Sequence, residues 1–219
     1  FTVSELPETD WVSKVQRELS PVTAGRFYLY GSHDADTVPA DCEPLLIEAS
    51  MAFGTGHHGT TLGCLRALDR LAQDGVVGRS VLDLGCGTAV LAMAAARIWP
   101  GVILASDIDA VAVEVARVNV AANGLEGRVH CVEAEGFEHP DLSAAAPHDL
   151  IFANILKGPL LGLAPGITNS LAPNGRVILS GLLNAQADEV IAAYTSLGTR
   201  LDHHETIGDW STLVMCRDG

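Results

Sequence analysis

Cysteine is scarce in this chain, and long apolar runs are missing. The five cysteines are scattered, and no two of them form a C-x-x-C pair. Such spacing favours reduced thiols over disulfides or a zinc site, so we expect a cytoplasmic protein without a bound metal. The sequence contains no run of about 18 consecutive apolar residues, which argues against a membrane-spanning helix and against a membrane partner.

Basic residues are scarce as well. Lysine and arginine number 13 against 27 aspartate and glutamate residues, which gives a formal net charge of −14. A field of that sign repels phosphate backbones, so direct binding of nucleic acid is not expected, whereas a basic protein or a cationic cofactor is favoured. Solubility alone would also explain the charge.

Length and composition predict one α/β domain with a short appendage. The 219 residues are 48% hydrophobic, which is enough for a full core. The first residue is Phe1 and no secretory leader follows it, so we interpret the chain as part of a longer protein. Residues 1–44 are predicted to form a linker helix, over 10–19, and an arm, and residues 45–219 are predicted to form the main domain.

From Ser80 onwards, apolar strands alternate with helices. The strands V-I-L-A-S and R-V-I-L-S are apolar almost throughout, as in a parallel sheet that is covered on both faces. The last two strands are joined by a short G-D-W turn and are expected to form a hairpin. The pattern predicts a mostly parallel, seven-stranded α/β sheet with one antiparallel strand and helices on both faces. The predicted strands are 80–84, 102–106, 128–133, 148–154, 176–180, 200–207 and 211–216, and the predicted helices are 88–98, 110–122, 159–171 (interrupted by Pro165 and Gly166) and 185–196.

A glycine-rich turn follows the first of these strands. The segment from Val81 reads V-L-D-L-G-C-G-T-A. Gly85 and Gly87 remove side chains where a ligand would lie against the backbone, and a helix beginning near Thr88 would point its free amides to the same place. At the tip of the next strand, in A-S-D-I-D, Asp107 can accept both hydroxyls of a ribose. The sequence therefore predicts a nucleoside site.

Two classes of cofactor compete for this site. A dinucleotide site favours G-x-G-x-x-G, in which a helix terminus binds a pyrophosphate, but Val90 stands where the third glycine would lie. Asp83, inside the strand end, would repel a pyrophosphate and attract the sulfonium and amino groups of S-adenosylmethionine. The pattern favours an S-adenosylmethionine-dependent methyltransferase. An NAD-dependent oxidoreductase and a cofactor-binding module without activity are the alternatives.

Asn154 ends the strand D-L-I-F-A-N, at the edge where a parallel sheet presents its functional groups. Enzymes that methylate planar amino or amide nitrogens usually have N-P-P and an aromatic residue at this point. Here Ile155 and Leu156 follow instead, so stacking of a nucleobase is not supported. Taken alone, the asparagine would equally fit a strand end where it satisfies backbone groups.

Four motifs, in this order and spacing, resemble one family. The motifs M-A-F-G-T-G-H-H-G-T-T, V-L-D-L-G-C-G-T-A, A-S-D-I-D and F-A-N-I-L-K-G-P-L are similar to those of the bacterial ribosomal protein L11 methyltransferases. The likeness covers nearly the whole chain, including the Trp11 helix. It implies a Rossmann-like class I methyltransferase fold, with S-adenosylmethionine as methyl donor and S-adenosylhomocysteine as product. The implied acceptors are lysine side chains and the N-terminal amine of a ribosomal protein at the stalk base of the large subunit.

The resemblance also implies the site residues. The cofactor contacts of the family fall on Thr61, Gly85, Asp107 and Asn154, and Asn154 is the expected catalytic residue, which would orient the acceptor amine. With the residues of the two glycine-rich loops added, the predicted cofactor site comprises Thr61, Gly85, Asp107, Asn154, Asp83, Gly87, Phe53, Gly54 and Thr55.

The chain departs from the family pattern in both glycine-rich loops. One loop reads G-H-H-G-T-T where the family usually has G-T-H-P-T-T, so His57 replaces threonine and Gly59 replaces proline. In the other, Ala89 replaces the usual last glycine. Neither departure removes a predicted cofactor contact, but the first is expected to alter the stiffness of the loop over the active site. We further expect a monomer without the family's separate N-terminal, substrate-binding domain. Lysines of another protein are the alternative acceptor.

Overall fold

The computed structural model of the chain describes residues 21–47 and 58–219. The predicted helix over 10–19 and the residues Phe53, Gly54, Thr55 and His57 lie outside these ranges. The strands are β1 (Val22–Ala24), β2 (Phe27–Tyr30), β3 (Glu43–Leu46), β4 (Ser80–Leu84), β5 (Val102–Asp107), β6 (Val129–Glu133), β7 (His148–Asn154), β8 (Leu171–Leu183), β9 (Thr199–Ile207) and β10 (Trp210–Arg217). The helices are α1 (His58–Gln73), α2 (Val90–Ile98), α3 (Ala110–Ala122), α4 (Pro140–Ala145), α5 (Lys157–Ser170) and α6 (Ala187–Ser196), with short 3-10 helices at Ser32–Thr37 and Asn184–Gln186.

Seven strands form one sheet in the order β6-β5-β4-β7-β8-β10-β9. Strands β4 to β8 pair in parallel, whereas β10 is antiparallel to both of its neighbours, β8 and β9. The mostly parallel sheet with one antiparallel strand and the terminal hairpin are therefore confirmed. Because the strands β4, β5, β7 and β8 run the same way, their carboxyl ends meet at one edge, which we call the carboxyl edge.

Two apolar layers cover the faces of this sheet. Helices α1, α2 and α3 pack on one face, where Leu65, Met93 and Ala116 are buried against strand residues such as Phe152. Helices α4, α5 and α6 pack on the other, around the fully buried Tyr194. The predicted helices on both faces are thus confirmed. Among the described residues, no helix combines the length and hydropathy needed to cross a membrane.

The boundaries of some elements differ from the sequence predictions. Helix α2 begins at Val90 rather than near Thr88, because Ala89 is in the left-handed conformation with φ 59° and cannot continue a helix. Helix α5 runs through Pro165 without a break. Its buried residues Leu160, Ala164 and Ile167 hold it on the sheet, so tertiary packing outweighs the local cost of the proline.

A separate three-stranded sheet, β1-β2-β3, precedes α1. Strand β3 ends at Leu46 and pairs in parallel with β2. The predicted domain division after residue 44 falls within β3 and stays a prediction. Side-chain contacts attach this sheet to the main domain: Arg26 Nε lies 2.5 Å from Asp69 Oδ1 on α1, and Asn123, directly after α3, hydrogen-bonds Leu46.

Candidate active site

The glycine-rich turn between β4 and α2 is held against the neighbouring strand. The backbone N–H groups of Gly85 and Cys86 donate to the carbonyl oxygen of Ser106 on β5, at 2.8 and 2.9 Å. Gly85 has φ +72°, and a Cβ added to it would lie 2.5 Å from Ile155 Cγ2. Side chains are therefore excluded there by both conformation and contact. At Gly87, with φ +53°, no atom lies within 4 Å of an added Cβ, so the backbone borders open space.

Asp107 ends β5 and lies beside this turn. Its Oδ2 accepts the Gly87 N–H at 2.9 Å, and its Oδ1 accepts the Asp109 N–H at 3.1 Å. A carboxylate has about four acceptor positions, so two remain for a ligand. The fixed carboxylate can accept a pair of hydroxyls.

Asp83 is a buried carboxyl close to the same turn. Its side chain accepts the Ala92 N–H at 3.0 Å, and the residue is only 1% exposed. Burial and, less strongly, the negative charge of Asp107 together raise the pKa of this carboxyl to about 8, although the hydrogen bond from Ala92 lowers it. An uncompensated buried carboxyl favours a cationic ligand beside it.

Most of the predicted site residues border one cavity of about 270 Å³ at the carboxyl edge. Thr61, Asp83, Gly85, Gly87 and Asn154 all line it, and Asp107 adjoins it through its bond to Gly87. The roles of these residues stay predictions, as do those of Phe53, Gly54 and Thr55. The described residues that line it are Thr60, Thr61, Asp83, Gly85, Cys86, Gly87, Thr88, Val90, Leu91, Asn154, Ile155, Leu156 and Gly181.

Asn154 stands at the end of β7 and pairs with Ser180 of β8. Its half-buried side chain forms no hydrogen bond with another residue of the described ranges, so its amide can bind a ligand in the cavity. Among residues 21–47 and 58–219, no group of three or more histidine, cysteine, aspartate or glutamate side chains could hold a metal.

Sequence reasoning missed one wall of the cavity. Gly181 has φ +79°, and a Cβ there would lie 2.3 Å from the carbonyl oxygen of Ile155. This close approach brings the turn after β7 against the end of β8. A glycine directly after the buried strand R-V-I-L-S was the available signal, but which residue it meets depends on the topology of the sheet.

The comparisons with known proteins agree on one family. A sequence model of the ribosomal protein L11 methyltransferases (PrmA) matches residues 1–218. The ribosomal protein L11 methyltransferase of Brucella suis is 48% identical over 207 residues, which are 94% of this chain and 72% of the relative. That of Rhodopseudomonas palustris is 47% identical over 217 residues, which are 99% of this chain and 73% of the relative. The chain belongs to the ribosomal protein L11 methyltransferase family.

Solved structures support the fold of this L11 methyltransferase family member. The crystal structure of a ribosomal protein L11 methylase from Lactobacillus delbrueckii subsp. bulgaricus matches with a TM-score of 0.80 and 25% identity, covering 92% of this chain and 100% of that one. Magnesium protoporphyrin IX methyltransferase from Synechocystis, solved with bound S-adenosylmethionine, shares the fold with a TM-score of 0.59 at 16% identity, over 71% of this chain and 78% of that one. The chain is an S-adenosylmethionine-dependent methyltransferase.

Proposed function

We propose that this methyltransferase modifies amines of ribosomal protein L11, namely lysine side chains and the N-terminal amine. One observation carries the proposal: Asn154, the buried carboxyl of Asp83 and the glycine-rich turn line the same cavity in a member of the L11 methyltransferase family. Lysines of another protein are the alternative acceptor, and the experiment below separates the two.

The residues present fit a cofactor that is cationic and carries a ribose. The open space at Gly87 lets a ligand lie against the backbone, Asp83 supplies a buried carboxyl that a positive group would keep ionised, and Asp107 has acceptor positions that the described residues leave open. We also assign Thr61, Gly85 and Asn154 to contacts with this cofactor, as the resemblance implies, and we add Phe53, Gly54 and Thr55 of the other glycine-rich loop. When bound, S-adenosylmethionine supplies an electrophilic methyl group.

In catalysis, the residues of this chain position the acceptor amine and favour the loss of its proton. A lysine amine has a pKa near 10.4 and must lose its proton before it can attack carbon. Removal from water beside a positive charge lowers that pKa, so no dedicated base is required. The side-chain carbonyl of Asn154 can accept an N–H of the amine and fix the direction of its lone pair.

Asp83 and Val90 argue against an NAD-dependent oxidoreductase. The buried carboxyl would face a pyrophosphate, and the first turn of α2 has valine where a dinucleotide site has glycine. S-adenosylhomocysteine is therefore expected to raise the melting temperature, whereas NADH is not.

The decisive experiment is methyl transfer from S-adenosylmethionine to purified ribosomal protein L11, read by mass spectrometry of its lysine and N-terminal peptides. Asn154→Ala is expected to lower kcat about 100-fold, since it removes the group that orients the amine. Asn169→Ala, at an exposed position of α5, is the matched control and should keep wild-type turnover. Full turnover by Asn154→Ala would remove its proposed role, and transfer confined to a different protein would overturn the acceptor.

We also propose that the protein works as a monomer in the cytoplasm. Residues 1–44 would form a linker helix and arm, and residues 45–219 would form the catalytic domain. We further propose that the protein makes no direct contact with nucleic acid. The net charge of −14 supports the last point, because it opposes approach to RNA. Sedimentation analysis with and without ribosomal RNA tests the oligomeric state and the RNA contact together.

A further inference from the structure

Two exposed leucines stand beside the cavity on the carboxyl edge of the sheet. Leu156, in the turn after β7, is 66% exposed and also lines the cavity; Leu183, at the end of β8, is 44% exposed. Single exposed leucines are ordinary on protein surfaces. Here, however, two lie in adjacent turns, because Gly181 and Ile155 are in close backbone contact.

The two turns are rigidly held, although they face solvent. The Leu183 N–H donates to Gln186 Oε1 at 3.0 Å, and the Asn184 N–H donates to the Asp209 carbonyl oxygen at 2.9 Å. Lys157, after Leu156, reaches Glu189 at 2.8 Å and so joins the start of α5 to the first turn of α6, which follows the turn of Leu183. A surface that is already ordered loses little conformational entropy when a partner binds.

The charge around the leucines is negative. Asp188 at the start of α6 and Asp209 beside Asn184 are both exposed, and the lysine of this surface is already paired with Glu189. A partner that buries the leucines must therefore carry apolar and positively charged groups side by side.

We propose that Leu156 and Leu183, with Asp188 and Asp209, form the docking surface for the acceptor polypeptide, which would be a basic segment with an apolar residue next to the target amine. The surface adjoins Asn154, so a segment seated on it has its amine at the cavity mouth. This inference rests on the proposed function, because it assumes that the acceptor is an amine of a polypeptide.

The test uses Leu183→Ser, since Leu183 does not line the cavity. With the whole 219-residue chain, the KM for ribosomal protein L11 should rise about fivefold, because part of one leucine side chain is no longer buried. The kcat and the Kd for S-adenosylhomocysteine should stay unchanged. Leu183→Met, which keeps an apolar side chain, should restore the KM. Leu197→Ser is the matched control: Leu197 is 40% exposed and precedes β9, at the opposite edge of the sheet.

A second measurement does not depend on transfer to ribosomal protein L11. Two synthetic basic peptides, identical except for leucine or serine beside the lysine, are titrated against the protein loaded with S-adenosylhomocysteine. Wild type should prefer the leucine peptide about fivefold, and Leu183→Ser should lose that preference.

The docking proposal is overturned by an unchanged KM in Leu183→Ser, by an equal loss in Leu197→Ser, or by equal binding of the two peptides to wild type. Self-association that Leu183→Ser abolishes would assign the surface to a second copy instead and would also overturn it. Absence of methyl transfer by wild type to ribosomal protein L11, with the peptide preference intact, would overturn the proposed acceptor and not the surface.

Discussion

At the scale of single residues, Asp83 links cofactor binding to pH. Its carboxyl is buried beside the negative charge of Asp107 on β5, and the charge of Asp83 in turn raises the pKa of the nearby thiols of Cys64, Cys86 and Cys131. With a pKa of about 8, the carboxyl is mostly protonated at pH 7 in the unliganded protein. The same raised pKa means that the unliganded protein loses stability as pH rises from about 4 towards 8.

A cationic ligand should therefore displace a proton from Asp83. In the proposed site, the ammonium group of S-adenosylhomocysteine would stabilise the carboxylate of Asp83, so we expect release of most of one proton per ligand at pH 7, and little release at pH 9. Calorimetry in buffers of different ionisation enthalpy measures the number of protons released per bound ligand.

Two variants make this expectation specific. Asp83→Asn should bind the ligand more weakly and without proton release. Asp109→Asn, at the exposed N-cap of α3, is the control and should release the same number of protons on ligand binding as wild type does. Equal binding enthalpies in all buffers for the wild type would contradict the expected coupling.

Single residues also show where sequence reasoning stops. The requirement for glycine at position 85 was predictable, because the pattern places it in a strand-to-helix turn. Its contact with Ile155 was not, since the two residues are far apart in the chain and meet only through the parallel pairing of β4 with β7. The same holds for Gly181. Local patterns identify the residue type, whereas the topology decides its neighbour.

At the scale of elements, length decided what could be predicted. The long strands and helices from β4 to β10 carry clear periodicity, whereas β1 has three residues and α4 six, with Leu142 as the buried residue of α4. Such short segments give no repeating pattern. Strand β8 extends beyond the predicted 176–180 at both ends, from Leu171 to Leu183. Leu171 already pairs with His148 of β7, and a register shift, with the positive-φ Asn174 in it, separates this pair from the pair of Leu150 with Arg176.

The amino ends of β4 and β7 contain a pH-sensitive contact. His148 Nδ1 lies 2.8 Å from Ser80 Oγ, whose hydroxyl donates to the Ala145 carbonyl oxygen at 2.8 Å, so Nδ1 is the donor to Ser80. The other nitrogen, Nε2, is buried without a partner among the described residues. Burial lowers the pKa of His148 to about 4 from 6.5, so protonation is costly in the folded state.

We expect His148 to destabilise the protein as pH falls. Because the pKa of His148 in the folded protein lies below its value in the unfolded chain, the contribution of His148 to stability is intact above pH 6.5 and is lost towards pH 4. Between pH 7 and pH 5, this contribution to the free energy of unfolding should fall by about 2 kcal/mol. Urea unfolding at both pH values measures the loss. Asp83 has the opposite effect and stabilises the protein as pH falls over this range. The change in the free energy of unfolding between pH 7 and pH 5 is therefore compared between wild type and His148→Asn.

Relative to its own value at pH 7, the free energy of unfolding at pH 5 should be about 2 kcal/mol higher in His148→Asn than in wild type, since asparagine can still bond Ser80 but does not titrate. His130→Asn, at an exposed position of β6, should keep the wild-type slope. If the free energy of unfolding changes by the same amount between pH 7 and pH 5 in His148→Asn and in wild type, the buried imidazole is not the titrating group.

At the scale of the whole molecule, apolar packing of Phe27 and Leu45 in the core of the main domain joins the small sheet to that domain, and polar contacts between described residues add to it. Asp69 of α1 accepts from Arg26 of the small sheet and from Gln73 Nε2 at 2.9 Å. Asn123 satisfies both backbone groups of Leu46: its Oδ1 accepts the N–H at 3.0 Å, and its Nδ2 donates to the carbonyl at 2.8 Å. The end of β3 is thereby fixed to the end of α3.

This attachment bears on the cofactor site through the chain itself. Leu46 lies one residue before Ile47, the last described residue of this range, and the chain continues to Phe53, Gly54 and Thr55 of the glycine-rich loop, which are predicted to contact the cofactor. On the far side, α1 carries Thr61 into the cavity. The attachment of β3 to α3 therefore holds one end of the segment 48–57, which contains the predicted contact residues Phe53, Gly54 and Thr55.

We therefore expect Asn123→Ala to weaken both stability and cofactor binding. Loss of two hydrogen bonds to a strand end should lower the free energy of unfolding by about 1–3 kcal/mol. Hydrogen exchange of the β3 amides should become faster than that of the β7 amides, and calorimetry should show weaker binding of S-adenosylhomocysteine. Asn169→Ala again serves as control, with neither change. Faster exchange in β3 together with unchanged affinity would show that the small sheet stabilises the fold without positioning the cofactor contacts.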